Sequence, residues 1–269
     1  MDASPLARLS QAGFEPTSSK TAVLPRQTDG KFRTGEWLLV SISGKRKKEV
    51  AKGVLPAPAY WNAIADSAQA IGLPERLPAG SYRLLQGKDR LSADFEVVTG
   101  RNAKIVKMGM KAYYHNRAST AIDSSFAGKW ARPAGHPDTL VKRHPSTGQT
   151  GTLSSPRGWY DAGDYGKYIV NSGITCWLLL DLYETASPSF DSLKWGIPAG
   201  PEPEMLREIK WNLDWMLTMQ DSDGGVYHKL TTLKFNPMNE LPHQDLGERY
   251  VVMKTTAATL DFVLVMAKS

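Results

Sequence analysis

The sequence predicts a multidomain β plus α protein: a β-sandwich over residues 1–103, then an all-α domain over residues 104–269. The first observation is a series of short apolar or alternating runs, separated by Pro, Gly and charged residues, that fills the first hundred positions. Runs of that kind indicate strands packed in two sheets. The second is a change of apolar period near Gly100-Arg101-Asn102, beyond which hydrophobic residues recur three and four apart, the spacing of one helical face. The third is a pair of aspartates inside the second part, in Gly158-Trp159-Tyr160-Asp161-Ala162-Gly163-Asp164-Tyr165-Gly166-Lys167-Tyr168.

Phe14-Glu15-Pro16, Thr21-Ala22-Val23-Leu24, residues 36–42, Tyr82-Arg83-Leu84-Leu85 and Phe95-Glu96-Val97-Val98 are the expected strands. Residues 78–84 add a turn that feeds a strand. Lys45-Arg46-Lys47-Lys48 follows an alternating run and Ser43-Gly44, so it reads as the solvated tip of a hairpin. Residues 1–100 carry no cluster of His, Cys or carboxylates, and a structural role is expected for them. Trp37, Tyr60 and Trp61 are expected in the core, with carbohydrate binding as the alternative.

In the second part, Ile105, Met108, Ala112 and Tyr113 approximate one face of a helix over residues 104–120. Residues 167–184 are almost continuously apolar between Tyr168 and Tyr183, which predicts a helix covered on more than one side. Leu206, Ile209, Leu213 and Met216 repeat after Pro201-Glu202-Pro203, which supplies a helix start. Thr256, Leu260, Val263 and Ala267 mark a last helix, also expected to be buried. Trp177, Trp211 and Trp215 lie within these patterns and read as core filler. Residues 132–157 and 221–249 are the long loops, expected to line a groove at one end of the helices.

At 269 residues and 41% hydrophobic content, the chain can bury substantial cores. No run approaches the ~20 apolar residues of a membrane span, so no membrane partner is expected. Residues 1–6 lack the basic start and apolar stretch of a secretory signal. Cys176, the one cysteine, rules out an intrachain disulfide. The net charge of +6 raises the question of a nucleic-acid partner, but no recognised motif accompanies the basic cluster, and none is expected.

If the aspartate pair opens a helix, Asp161 and Asp164 share one face, roughly 5–6 Å apart at Cβ. Two acids that close can hold one water between them, and an ionised carboxylate within reach of that water is a general base. Hydrolysis is the natural chemistry. The competing reading is that Asp161 caps the following helix and Asp164 complements its dipole. Spacing alone leaves both open.

Residues 158–171, GWYDAGDYGKYIVN, closely resemble the signature of glycoside hydrolase family 9, the inverting cellulases and related β-glucanases. Tyr113-Tyr114 with Arg117-Ala118, AGKWARPAGHPDT at 127–139, MQDSDGGVYHKLTT at 219–232 and RYVVMKTTAATLDFVLVM at 249–266 are similar to the subgroup with an N-terminal immunoglobulin-like domain. The resemblance implies an immunoglobulin-like β-sandwich followed by the first part of an (α/α)6 toroid. It implies hydrolysis of β-1,4-glucosidic bonds in cellulose or related β-glucans. Asp164 matches the base that deprotonates the attacking water, and Asp161 matches the carboxylate that helps to bind and orient it.

Inversion also needs a general acid about 6.5–9.5 Å from the base. In the family it is a glutamate near the end of the catalytic domain, and none of Glu184, Glu204, Glu208, Glu240 and Glu248 lies in a similar stretch. The chain is therefore expected to be an N-terminal portion that is inactive alone and prone to non-specific self-association through uncovered helix faces. A non-catalytic glycan-binding or scaffold module is the alternative. The resemblance also implies export of the parent protein, to the periplasm or beyond.

Trp159, Tyr160, Tyr165 and Tyr227 are the candidates for stacking on pyranose rings, and His228 and His243 for contacts to sugar hydroxyls. No cofactor is required. Some family members carry a Cys-His pair in a structural zinc site where this chain has Gly135-His136; with His144 nearby but no full set of four ligands, zinc is not expected. Asp221-Ser222-Asp223-Gly224-Gly225 offers carboxylates to calcium but lacks the spacing of a calcium loop, and its simpler reading is a turn.

Overall fold

The computed structural model describes residues 6–235, 237 and 239–269. The chain divides into two units, one ending at Ile105 and the other spanning Val106–Ser269.

The named strands of the first unit pair antiparallel, and parallel bridges join Ala7 to Ser92 and Phe14 to Val97. The strands are β1 (Thr21–Leu24), β2 (Glu36–Ser43), β3 (Arg46–Val54), β4 (Ala59–Trp61), β5 (Asp66–Gly72), β6 (Gly80–Gln86), β7 (Asp89–Arg90) and β8 (Phe95–Val97). One sheet runs β1-β5-β4; the other runs β3-β2-β6-β7, with β8 also on β6. Ala22, Leu24 and Ile71 of the first sheet and Leu39, Leu84 and Phe95 of the second are buried in one shared core. Period-two alternation puts those side chains on the inner faces. Tyr82 packs in the same core and donates its hydroxyl to Pro78 O at 2.8 Å, pinning the turn to the strand it feeds.

Three expectations change here. Phe14 makes only an isolated bridge to Val97. The basic cluster does lie at a hairpin tip, turning at Gly44-Lys45, but its last three residues open β3, an almost wholly exposed outer strand with no apolar alternation to reveal it. Tyr60 and Trp61, expected in the core, are exposed on β4, whereas Trp37 is buried.

The second unit holds helices α1 (Arg101–His115, from just before the division), α2 (Ser124–Ala127), α3 (Ile169–Ser192), α4 (Glu204–Thr218) and α5 (Thr256–Lys268). The two long loops and the segments that follow them contain strands that periodicity did not reveal, because each is two to four residues long. They are β9 (Val141–Arg143), β10 (Thr152–Leu153), β11 (Lys167–Tyr168), β12 (Lys229–Thr232) and β13 (Arg249–Val251), in one sheet ordered β10-β9-β13-β12-β11.

Helix α4 starts after Pro203 and buries Met205, Glu208, Ile209, Asn212, Trp215 and Met216. The stripe is rotated from the one expected, so Leu206 and Leu213 are only partly buried. Thr255 caps α5 by accepting from Ala258 N–H at 3.2 Å. The α5 core face is Ala258, Phe262 and Val265, while Leu260 and Val263 are exposed. Helix α3 is likewise not covered on all sides, since Ile174, Leu178 and Leu182 face solvent.

Gly173 explains how α3 and α5 meet. A Cβ built there would lie 1.6 Å from Asp261 Oδ2, so the carboxylate of α5 occupies space that only glycine leaves. Burial raises the Asp261 carboxyl from 3.8 to about 6. The folded chain thus holds this proton more tightly than the unfolded one. The group favours folding below its unfolded pKa, and that contribution is lost as pH rises through about 6. Asp261→Asn is therefore expected to raise Tm by a few degrees at about pH 7.5 and to leave it nearly unchanged at about pH 4. A lower Tm for the variant at both pH values in thermal scans would refute this account.

Candidate active site

Asp161 and Asp164 lie on a loop ahead of β11, and α3 begins only at Ile169 with Tyr168 at its N-cap and no side-chain cap. The expected helical turn is absent at the pair, and neither aspartate caps this helix. The backbone closes on itself instead: Asp161 N–H donates to Gly166 O at 2.9 Å and Tyr165 N–H to Ala162 O at 3.1 Å. Tyr165 sits at φ +54°, a left-handed conformation that costs a non-glycine residue of order 1–3 kcal/mol. Anchors offset that cost. The Tyr165 carbonyl accepts from Arg249 Nη2 at 2.8 Å, and its hydroxyl donates to the Glu240 carbonyl. Gly166 is required by close approach, since a Cβ there would meet the Tyr168 ring at 2.6 Å.

Both carboxylates are oriented. Asp161 Oδ1 accepts from Asn171 Nδ2 at 2.8 Å. Asp164 Oδ1 accepts from Gly166 N–H at 3.2 Å, and Oδ2 from the Tyr168 hydroxyl at 2.7 Å. Burial, the bond to Asp164 and the charges of both aspartates push the Tyr168 hydroxyl above the usual phenol range, so it stays a donor. Among the described residues, Asp161 Oδ2 takes no hydrogen bond, which leaves an acceptor for an incoming group. Asp161 is exposed and Asp164 half-buried. Asp161 and Asn171 line a small cleft of about 110 Å³ with Tyr113, Asn116, Trp159 and Tyr160.

Three of the aromatic candidates do not offer open ring faces. Trp159 is packed on Tyr113, with centroids 4.7 Å apart, and donates Nε1 to Glu208 Oε1 at 2.9 Å. Tyr160 is buried with its hydroxyl 2.9 Å from His136 Nδ1. Tyr227 is 1% exposed, and its hydroxyl lies 2.9 Å from Gln149 Oε1 and 3.1 Å from Asp221 Oδ2. Each ring is held by a polar tip that found a protein partner, so its body went into the core. Tyr165 is half-buried. His228 sits ahead of β12 with Nδ1 3.0 Å from Thr255 Oγ1, and His243 lines a separate cavity with His136, Asp138, Asp245 and Arg249. Neither histidine lines the Asp161 cleft.

Beneath the loop lies a charged network that sequence reasoning missed. Lys167, three residues after Asp164, is fully buried; its Nζ stands 2.8 Å from Asp138 Oδ2 and donates to Ser155 O at 2.9 Å and Arg157 O at 2.8 Å. Burial lowers the Lys167 ammonium to about 8, against the opposing pull of Asp138. Arg249 Nε reaches Asp138 Oδ1 at 3.2 Å, so one carboxylate holds both cations and, through Arg249, the Tyr165 carbonyl. Arg117 likewise grips Glu208 at 2.8–3.1 Å under Trp159. The available signal was the lysine itself, a charge placed directly before a long apolar helix.

His136 Nε2 lies 3.1 Å from Asp245 Oδ2, and burial holds this imidazole below its usual pKa. His144 Nδ1 faces Ser146 Oγ at 2.9 Å, so the two histidines have separate partners. A Cβ on Gly135 would strike the Pro242 backbone at 2.6 Å, so the fold leaves no room for a larger residue there. Among the described residues, no group of three or more His, Cys, Asp or Glu is placed to hold a metal ion. Asp221 and Asp223 flank the Lys254 ammonium at 2.9 and 2.6 Å.

The family model for glycosyl hydrolase family 9 matches residues 103–269. The xyloglucan-specific endo-β-1,4-glucanase of Bacteroides ovatus is 37% identical over 270 residues, covering 97% of this chain and 44% of that protein. The cellulose 1,4-β-cellobiosidase of Acetivibrio thermocellus is 27% identical, over 98% of this chain and 33% of its own length. Among solved structures, a Bacteroides ovatus GH9 protein superposes with a TM-score of 0.83 at 35% identity, over 97% of this chain and 48% of its own. This chain thus spans less than half the length of each relative. The match to the family model and the aspartate loop fall in the same residues, and the chain belongs to glycoside hydrolase family 9.

Proposed function

We propose that this chain is part of an inverting hydrolase of β-1,4-glucans, cellulose or a related β-glucan, in which Asp164 deprotonates the attacking water and Asp161 helps to hold it. The observation that carries the reading is the loop of residues 161–166, which aims two aspartates held by Asn171, Gly166 and Tyr168 while leaving Asp161 Oδ2 unbonded at a cleft. A carboxylate that accepts two donors, one of them a phenol, is held in one orientation. The chemistry is acid–base and requires no cofactor. Export of the protein agrees with a polymeric substrate.

The general acid is assigned to the part of the family 9 sequence that this chain does not match. Glu208 is committed to Arg117, Glu184 to Lys268 and Glu248 to Lys142. Negligible turnover of unactivated glucan by residues 1–269 alone is therefore expected. The two-sheet unit, taken as residues 1–103, suits an immunoglobulin-like module, because the Tyr82 hydroxyl bonds back to Pro78 as in a tyrosine corner. Residues 104–269 suit the first part of an (α/α)6 toroid. The exposed Leu178, Leu260 and Leu264 favour self-association, expected as a concentration-dependent mass in sedimentation equilibrium.

The decisive experiment uses a dinitrophenyl β-cellobioside, whose leaving group departs without an acid. Slow hydrolysis of this glycoside but not of carboxymethyl cellulose is expected. Absence of any Asp164-dependent hydrolysis would refute the proposal.

A further inference from the structure

Beside the cleft at Asp161 lies a second cavity, about 540 Å³, lined by Met108, Lys111, His115, Asn116, Trp130 and Arg132. Asn116 lines both. Its carbonyl accepts from Tyr160 N–H at 2.8 Å, which ties this wall to the residue before Asp161. Trp130 is 68% exposed and Met108 64%, so both apolar side chains are open to solvent at this cavity. Buried tryptophans in this unit show the contrast, since Trp195 and Trp215 are almost fully enclosed.

The Lys129 ammonium stands 4.8 Å from the centroid of the Trp130 ring, so one face of the indole already carries a cation, while other polar groups at the opening are uncommitted. Among the described residues, the side chains of Lys111, His115 and Asn116 make no hydrogen bond or ion pair. Arg132 is fixed instead, donating Nη2 to His115 O at 3.1 Å and Arg117 O at 2.7 Å, with its guanidinium 5.6 Å from the Tyr160 ring. Burial and the cations Lys111 and Arg132 hold the His115 imidazole below its usual pKa. Near neutral pH it is uncharged, with one nitrogen donating and the other accepting. A flat apolar ring beside uncommitted donors and acceptors matches a pyranose, which has an apolar C–H face and a rim of hydroxyls that both donate and accept.

The geometry points to a sugar-binding extension of the cleft, in which Trp130 stacks on a pyranose of a β-linked glucan while Lys111, His115 and Asn116 meet its hydroxyls. This inference rests on the proposed function, because the chain that reaches Trp130 is the one that passes Asp161.

Titration calorimetry on the whole 269-residue chain tests it, with cellohexaose and cellobiose as probes and Trp130→Ala and Asn171→Ala as variants. Trp130→Ala is expected to weaken cellohexaose binding about tenfold and leave cellobiose unchanged, the loss of one stacked ring. Its Tm should match the parent, since an exposed side chain adds little to folding. Asn171→Ala is expected to weaken both ligands. Weakening by Asn171→Ala with no effect of Trp130→Ala would overturn the extension and leave the proposed function standing. An effect of Trp130→Ala on self-association alone would also overturn it, by showing that a second copy covers the ring. No binding of cellohexaose by the parent chain would remove the functional reading and the extension together.

Discussion

Asp164→Asn is expected to lower hydrolysis of a dinitrophenyl β-cellobioside by about 10²–10⁴-fold, the usual worth of a positioned general base. The substitution is nearly isosteric. Its carbonyl oxygen still accepts from the Tyr168 hydroxyl or the Gly166 N–H, so the loop should keep its closure. What disappears is the ability to take a proton from water. Binding of the glycoside should change little, so the loss is expected in kcat, with KM close to the parent value. Asp161→Asn should cost less, because an amide still orients water by hydrogen bonding. Rates for Asp164→Asn within a fewfold of the parent would exclude Asp164 as the base.

Asp138→Ala is expected to destabilise the chain by about 3–5 kcal/mol, the range seen when one partner of a buried ion pair is removed. Asp138 has no exposed side-chain surface and faces Lys167 at 2.8 Å and Arg249 at 3.2 Å, both cations themselves buried. Without it, Lys167 keeps only carbonyl acceptors and Arg249 keeps the Tyr165 carbonyl. Two uncompensated charges in a poorly solvated interior cost far more than the aspartate's own packing. Asp138→Asn, which retains hydrogen-bond acceptance, should lose less. Urea unfolding followed by tryptophan fluorescence measures both. A loss below about 1 kcal/mol for Asp138→Ala would mean that water enters the network freely. Because Arg249 also holds Tyr165, this substitution should loosen the aspartate loop as well as the fold.

The order of folds was legible because it rests on periodicity. Period-two runs around Leu39 and Leu84 and the three-four spacing around Ile209 and Met216 reflect which faces bury apolar area, and burial dominates folding free energy. The α4 start at Pro203 follows from local backbone chemistry that neighbouring residues already contain. The aspartate pair drew notice through its resemblance to the family signature over residues 158–171, since its spacing alone also suits a helix cap.

Other features were decided at a distance. Gly173 and Asp261 are neighbours only because α3 and α5 pack, and Asp138 meets Lys167 only through the small sheet. Trp159, Tyr160 and Tyr227 looked available for sugar, yet each polar tip found a distant partner and drew its ring inward. Trp130, inside a matching stretch but without a role at first reading, is the tryptophan left open to solvent beside the cleft. Local propensity and hydrophobic pattern thus determined the longer elements and their order, and resemblance to a family signature marked the aspartate pair. Which charges are shared, which rings stay open and how the loop is braced depend on contacts between residues far apart in sequence, and tertiary packing alone brings those together.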